Sequence, residues 1–377
     1  MRVLATCSLG GAGHLQPLLP VLRAAREQGH ETLVVGPPAL AQMVEETGHR
    51  FEAGDEPPES EVAPIREQLP VAPPAEAAVL GNRELFGRLA ARAMLPAVTD
   101  VLDRWRPDLV VRDPCEYASA VAAARAGVPV AQIAIGLADV EWASIDIAAP
   151  ALEEHGDAVV GAIRRAPYLS RFPASLDPSR FADTRRFSDP GPSRHGALPD
   201  WWGASTAPLV YVSFGTVLGH MTMAAAVYRT AIEAVASLDV RVLLTVGHRF
   251  EAASLEPLPD NVHVERWVEQ SAVLAEAALV VSHGGSGTTF GALAAGLPVV
   301  VVPLFADQRA NAARIADAAV GLVVDDATGA SAATRLRTAI EAVRTGTSYR
   351  DSARRVSAEK AGAPTAARRL EALLAGS

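Results

Sequence analysis

Lysine is nearly missing from this chain: Lys360 is the single one among 34 basic residues, and arginine supplies the rest. With so much alanine and proline, that reflects the codon bias of a GC-rich genome and not a chemical requirement. Cysteine is as scarce. Cys7 and Cys115 are too few to staple 377 residues, which excludes a disulfide framework and suits a reducing compartment. Basic charge is in deficit, with 43 acidic residues against 34 basic ones and a net charge of −9. Without a Lys/Arg run, nucleic acid and anionic membranes are poor partners. No stretch reaches the roughly 18 apolar residues that a membrane helix needs. The opening Met1-Arg2-Val3-Leu4-Ala5-Thr6-Cys7-Ser8 runs into glycines with no signal-peptide core. A soluble, cytoplasmic protein is the expectation.

Hydrophobic residues make up 49% of the chain and charged ones 20%, which excludes intrinsic disorder. At roughly 100–200 residues per domain the length suits two domains. Short apolar runs recur with helical stretches between them: Val3–Cys7, Thr32–Val35, Leu109–Val111 and Val128–Ile135 in the first half. Leu209–Ser213, Val242–Val246, Leu279–Ser282, Val299–Val302 and Leu322–Val324 follow in the second. Continuous apolar strands alternating with helices predict parallel sheets covered on both faces, an α/β class twice over. Prolines at 190, 192, 199 and 208 mark a linker at about 191–207, between an N-terminal domain 1–190 and a C-terminal domain 208–377. A second stretch, Gly54–Pro74, is acidic and proline-rich. It reads as a long irregular loop, either an acceptor lid or a solvated insertion.

After the first strand comes Ser8-Leu9-Gly10-Gly11-Ala12-Gly13-His14. It is similar to a dinucleotide fingerprint, yet Gln16 stands where the third glycine belongs, and Val34-Val35-Gly36 supplies no acid for a ribose. A nicotinamide cofactor is therefore not expected. What remains is His14 on a strand-to-helix turn at the carboxyl edge of a sheet, where open α/β folds bind ligands. Asp113 follows Leu109-Val110-Val111-Arg112 and falls on the same edge. A carboxylate there would fix the tautomer of His14 and stabilise its cation. Asp113 reads equally as a helix N-cap before Pro114.

The sharpest pattern runs from Trp267-Val268-Glu269-Gln270 through Ser282-His283-Gly284-Gly285-Ser286-Gly287-Thr288 to Asp307-Gln308. A strand, a glycine loop and a helix would turn the amides of Ser286, Gly287 and Thr288 towards an anion. No Walker lysine is present, so this is not an NTPase loop. Ser213-Phe214-Gly215-Thr216 offers a second cradle, and the two together suit a diphosphate. Taken singly, Trp267 could be a core residue and Asp307-Gln308 an ordinary helix start.

With these residues in place, the chain resembles the inverting, nucleotide-sugar-dependent glycosyltransferases of the GT-B fold, in particular the family-one enzymes that glycosylate bacterial natural products. The resemblance implies two Rossmann-like domains facing a cleft, with the last helix packing back on the N-terminal domain. It implies that Trp267 stacks on the nucleobase and Val268 reads its edge. His283, Gly285 and the amides of Ser286 to Thr288 would bind the diphosphate, with Ser213, Gly215 and Thr216. Asp307 and Gln308 would take the sugar hydroxyls. His14 would be the general base and Asp113 its orienting partner. Phe86, Leu137 and Trp142 would line the acceptor pocket. No Asp-x-Asp metal site occurs, so no metal and no cofactor is expected beyond the substrate nucleotide sugar.

One position departs from the family. Uridine-using members carry a glutamate eight residues after the box histidine, beside the ribose; here that position is Gly291. A missing carboxylate suits a ribose without its 2′-hydroxyl, hence a dTDP-sugar, and a deoxysugar, over a UDP-sugar. The acceptor would be a small natural-product aglycone. Two rival readings are a non-catalytic glycosyltransferase-like helper subunit and an NDP-sugar epimerase of the same fold. Aglycone, linkage atom and oligomeric state, a homodimer included, are not legible in one sequence.

Overall fold

A computed structural model describes the chain except residues 10, 70, 190–197, 306 and 376–377. It divides into two units, Met1–Asp189 with Ala363–Ser377, and Pro190–Gly362. Residues 191–197 of the expected linker lie outside the described residues, and 198–207 are described. Among the described residues no helix is long and apolar enough to cross a membrane.

The first unit is built on seven parallel strands: β1 (Arg2–Thr6), β2 (Glu31–Gly36), β3 (Arg50–Ala53), β4 (Leu109–Arg112), β5 (Val130–Ile133), β6 (Tyr168–Ser170) and β7 (Thr184–Arg186). Their order is β3-β2-β1-β4-β5-β6-β7. Both faces are covered, so alternate residues serve different cores. Val3, Ala5, Leu109 and Val111 pack with the helix Leu19–Glu27, while Leu4 and Val110 pack with the helix Ala91–Trp105. Each such side chain taken out of water contributes about 1.5–3 kcal/mol, the main source of stability for a two-faced sheet. The helix Ala366–Leu374 joins the first of these cores through Leu370 and Leu373, and its Glu371 accepts from Gln28.

The second unit repeats the plan with β8 (Leu209–Ser213), β9 (Arg241–Thr245), β10 (Val262–Glu265), β11 (Ala277–Ser282), β12 (Val299–Val301) and β13 (Gly321–Val323), all parallel. The order is β10-β9-β8-β11-β12-β13. In both units the chain reverses direction along the sheet beside its first strand. That leaves a crevice at the carboxyl ends of β1 and β4, and another at those of β8 and β11.

Gly54–Pro74 is not the irregular loop its composition suggests. Glu59–Gln68 is helical despite Pro64, because Val62 and Ile65 bury together against Leu89. Arg66 and Arg92 pin Glu59 and Glu61 on its outer side. Next comes Val79–Ala90, a twelve-residue π-helix, wider than an α-helix and rare outside functional sites. The helix after the first glycine loop is broken: one turn at Ala12–Leu15, then Leu19–Glu27 with Pro20 in its first turn.

Beyond β5, the Glu141 side chain holds the turn into the next helix, its Oε1 accepting from the amides of Ile135 (2.8 Å) and Gly136 (2.7 Å). Burial pushes this carboxyl up to about 8; hydrogen bonds from Tyr168 and the two amides offset part of the rise, and Asp177 adds to it. An unfolded glutamate ionises near pH 4.3. Between that value and about 8 the folded chain keeps a proton that the unfolded chain has lost, so stability falls as pH rises through this window. Glu141→Gln keeps the acceptor and cannot ionise. Its melting temperature should exceed that of wild type by several degrees near pH 9, with the gap closing towards pH 4. A gap that does not change with pH would remove the argument.

Candidate active site

His14 ends up at the first crevice because the one-turn helix Ala12–Leu15 follows directly on β1. Its ring, 19% exposed, places Nδ1 3.2 Å from Oδ2 of Asp113, which is fully buried after β4. The contact is close but off-line for a hydrogen bond, so as placed it is chiefly electrostatic. Asp113 does not cap a helix, since the next one starts at Ala118. Its Oδ2 accepts from the Ser8 amide (2.7 Å) and its Oδ1 from the Cys115 amide (2.6 Å), tying the two strand ends together. Burial works to push the Asp113 carboxyl up, but the charge of His14 and these hydrogen bonds outweigh it and the net shift is down. For His14, burial works downward and the charge of Asp113 wins, leaving the imidazole above its usual range. An ionised aspartate on Nδ1 leaves Nε2 as the nitrogen able to take a proton.

Of the three expected acceptor residues, Phe86 lies against His14, with ring centroids 5.8 Å apart. Leu137 is 2% exposed, and Trp142 is packed edge-on against Phe181 and beneath the Arg164 guanidinium. Both have structural work of their own. Sequence reasoning missed Arg112. It is fully buried, and its Nη1 donates to the carbonyls of Asp113 (2.8 Å), Pro114 (3.1 Å) and Glu116 (2.7 Å). That guanidinium holds the backbone on which Asp113 sits. His14, Asp113 and Cys115 bring one potential ligand atom each to within 4.8 Å of one another. Both Asp113 oxygens are already engaged by amides.

In the second unit the carboxyl ends of β9, β8 and β11 align Thr245, Ser213 and Ser282 in register. Tyr211, Thr245 and Ser213 form a chain of hydroxyls at 3.1 and 2.9 Å, and Ser282 meets Thr289 at 3.0 Å. Above this layer the His283 ring is wedged against two glycines. A methyl on Gly215 would lie 2.9 Å from His283 Nε2, and one on Gly285 closer still; Gly215 also has φ +75°. Only glycine lets the backbone approach the ring on both sides. Burial pushes the His283 imidazole down to about 4, against a smaller opposing hydrogen bond to the Ser213 backbone. It is therefore uncharged at neutral pH.

The helix Ser286–Ala294 begins at this point with Gly285 as its N-cap, so the amides of Ser286, Gly287 and Thr288 have no partner within the helix. Trp267 is 56% exposed, an unusual state for an indole and suited to a stacking platform. Thr216 is exposed and Val268 half-buried. Asp307 sits at the start of the helix Gln308–Asp317, 3.4 Å from Ser286 Oγ. Gln308 is only 2% exposed, and its Oε1 accepts from the amides of Leu304 (2.8 Å) and Phe305 (2.9 Å). Its carboxamide oxygen therefore holds that turn. Asn311, fully buried, donates to the Gly284 carbonyl at 2.8 Å and reaches Asp307 at 3.1 Å, so it braces the glycine loop against the helix Gln308–Asp317.

Two Rossmann-type units, one carrying an imidazole–carboxylate pair and the other a glycine loop at a helix N-terminus and an exposed indole, are the architecture of a GT-B glycosyltransferase. The crystal structure of the glycosyltransferase SnogD from Streptomyces nogalater superposes with a TM-score of 0.78 at 26% identity, covering 100% of this chain and 99% of that one. The spinosyn rhamnosyltransferase SpnG, solved with thymidine diphosphate, gives 0.78 at 24% identity, covering 99% and 100%. Residues 23–154 and 229–375 match the N- and C-terminal domains described as erythromycin biosynthesis protein CIII-like. The L-demethylnoviosyl transferase of Streptomyces niveus is 32% identical over 387 residues, covering 100% of this chain and 98% of that protein. The chain belongs to this EryCIII-like family of antibiotic-pathway glycosyltransferases, enzymes that transfer a sugar to an aglycone.

Proposed function

We propose that the enzyme moves a deoxysugar from a thymidine diphosphate donor to a hydroxyl of a natural-product aglycone, with inversion, without a metal, and with His14 as general base. The observation that carries the base assignment is the buried, doubly amide-bonded Asp113 carboxylate 3.2 Å from His14 Nδ1. It orients the ring and stabilises the imidazolium formed when Nε2 takes the acceptor proton. The acceptor oxygen then attacks the anomeric carbon in a single displacement, which inverts that centre. The diphosphate gains charge as it leaves. The Ser286–Thr288 amides and His283 supply preorganised donors for that charge, the part a metal plays elsewhere.

The choice of thymidine rests on Gly291. SpnG shares the fold, and its thymidine diphosphate belongs to that protein. A methyl on Gly291 would have Leu274 Cδ1 at 3.6 Å and Gln270 Oε1 at 3.8 Å as its nearest neighbours, ordinary contacts that leave room for a Cβ the residue does not carry. Calorimetry in metal-free buffer should show thymidine diphosphate binding tighter than uridine diphosphate. Gly291→Glu places a carboxylate beside Gln270, where it can accept from a 2′-hydroxyl; uridine diphosphate should gain about tenfold relative to thymidine diphosphate, as one charge-assisted hydrogen bond predicts. A wild-type preference for uridine diphosphate would overturn the donor assignment.

A further inference from the structure

The first unit holds a cavity of about 300 Å³ lined by residues of β4, β5 and the helices Ala118–Ala126 and Ala158–Arg165. Its walls are small and apolar, among them Ala120, Val130 and Ile163. Arg112 lines it, fully buried, and Arg165 lines it from an exposed position. Neither guanidinium makes an ion pair among the described residues. Arg112 spends Nη1 on carbonyls and Nη2 on Gln132 Oε1 (3.0 Å), while its Nε has no partner. Its charge is felt by the buried Glu116 carboxylate without a direct ion pair, and its guanidinium lies 5.4 Å from the Tyr117 ring centroid; a buried cation that still keeps an unused N–H is costly unless something anionic completes it. Asp113 and Glu116 are its nearest carboxylates in sequence. The first faces His14, and the second is turned to the Ser119 amide at 3.1 Å.

We propose that this cavity is a second ligand site for a small amphipathic anion, with its carboxylate at Arg112 Nε, its apolar body against Ala120, Val130 and Ile163, and Arg165 at the entrance. The volume lies at the lower end of the range for small-molecule pockets, so the ligand is compact. The site is wired to the chemistry. Arg112 also holds the carbonyls of residues 113, 114 and 116, and Gln132 ties it to the Ile163 carbonyl at 2.7 Å. An anion that draws the guanidinium towards the cavity acts on the loop that positions Asp113. The site is independent of which donor and acceptor the enzyme uses.

Benzoate and its neutral counterpart benzyl alcohol are the probes, titrated calorimetrically into the full-length enzyme. Benzoate should bind saturably and at least about tenfold more tightly than benzyl alcohol, which is one charged contact's worth of affinity. Ala124→Trp, an exposed substitution at the cavity wall, should weaken benzoate by a similar factor, whereas His14→Ala should leave it unchanged. Benzoate should also move the ring-nitrogen resonances of His14 in wild type and not in Ala124→Trp. No saturable benzoate binding, equal binding of both probes, or affinity indifferent to Ala124→Trp would each overturn the site. Binding without any movement of the His14 resonances would overturn its link to the active site.

Discussion

Replacing His14 by alanine should lower kcat by about 10²–10⁴-fold, the usual worth of a positioned general base, with donor affinity unchanged because the proposed nucleotide cradle belongs to the other unit. The pH profile gives the second readout. A base works only when unprotonated, and the charge of Asp113 holds the His14 pKa above 6.5 against the downward pull of burial. Activity should therefore fall as pH drops through a midpoint above that value. Asp113→Asn removes the charge and leaves burial to dominate, so the midpoint should move to lower pH while the plateau rate drops with the lost orientation of the ring. A His14→Ala enzyme with wild-type kcat would end the base assignment, and so would an Asp113→Asn midpoint that stays put or rises. Neither result would touch the membership of the family, which rests on the whole chain.

The strands legible in the sequence were those buried on both faces. Val3–Cys7, Leu109–Val111, Leu209–Ser213 and Leu279–Ser282 are apolar runs because both sides of each central strand face helices. Four strands escaped: Arg50–Ala53, Tyr168–Ser170, Thr184–Arg186 and Val262–Glu265. Arg50–Ala53, Thr184–Arg186 and Val262–Glu265 are edge strands, where charged side chains reach water and no apolar run is needed, whereas Tyr168–Ser170 is fully buried but only three residues long, too short to show as a run. The helix Glu59–Gln68 was hidden for the opposite reason. Its proline and acidic content signal a loop, and only the tertiary contacts of Val62 and Ile65 override that.

At the site, glycines and histidines were readable because their spacing is dictated locally by the strand–loop–helix turn. The supporting residues were not. Arg112, Asn311 and Thr245 act across the fold, through partners 20, 27 and 32 positions away. Nothing in a neighbouring residue announces such a bond. An arginine ending an apolar strand reads as a solvated charge, and its burial is visible only once the loop after β4 has folded over it.

His283→Ala should cost about 10²–10³-fold in kcat/KM for the donor, the measured scale for one preorganised donor at a developing charge. The ring is uncharged in the free enzyme, since burial pushes it down to about 4. In the proposed role it acts first as an N–H donor, then gains basicity when a diphosphate arrives, because an adjacent anion favours the imidazolium. Donor binding should thus take up a proton increasingly as pH falls from 7 towards 5, measurable by repeating the calorimetry in buffers of different ionisation enthalpy. Gly285→Ala offers a test that leaves the imidazole in place. Its methyl would overlap His283 Nε2, so the ring must leave the cradle, and both the rate and the proton uptake should fall together. If His283→Ala lowered the rate while wild type took up no proton on binding, the ring would serve as a neutral donor throughout. If Gly285→Ala were silent, the imidazole would not be the group facing the phosphates, and the helix amides of Ser286 to Thr288 would carry the anion by themselves.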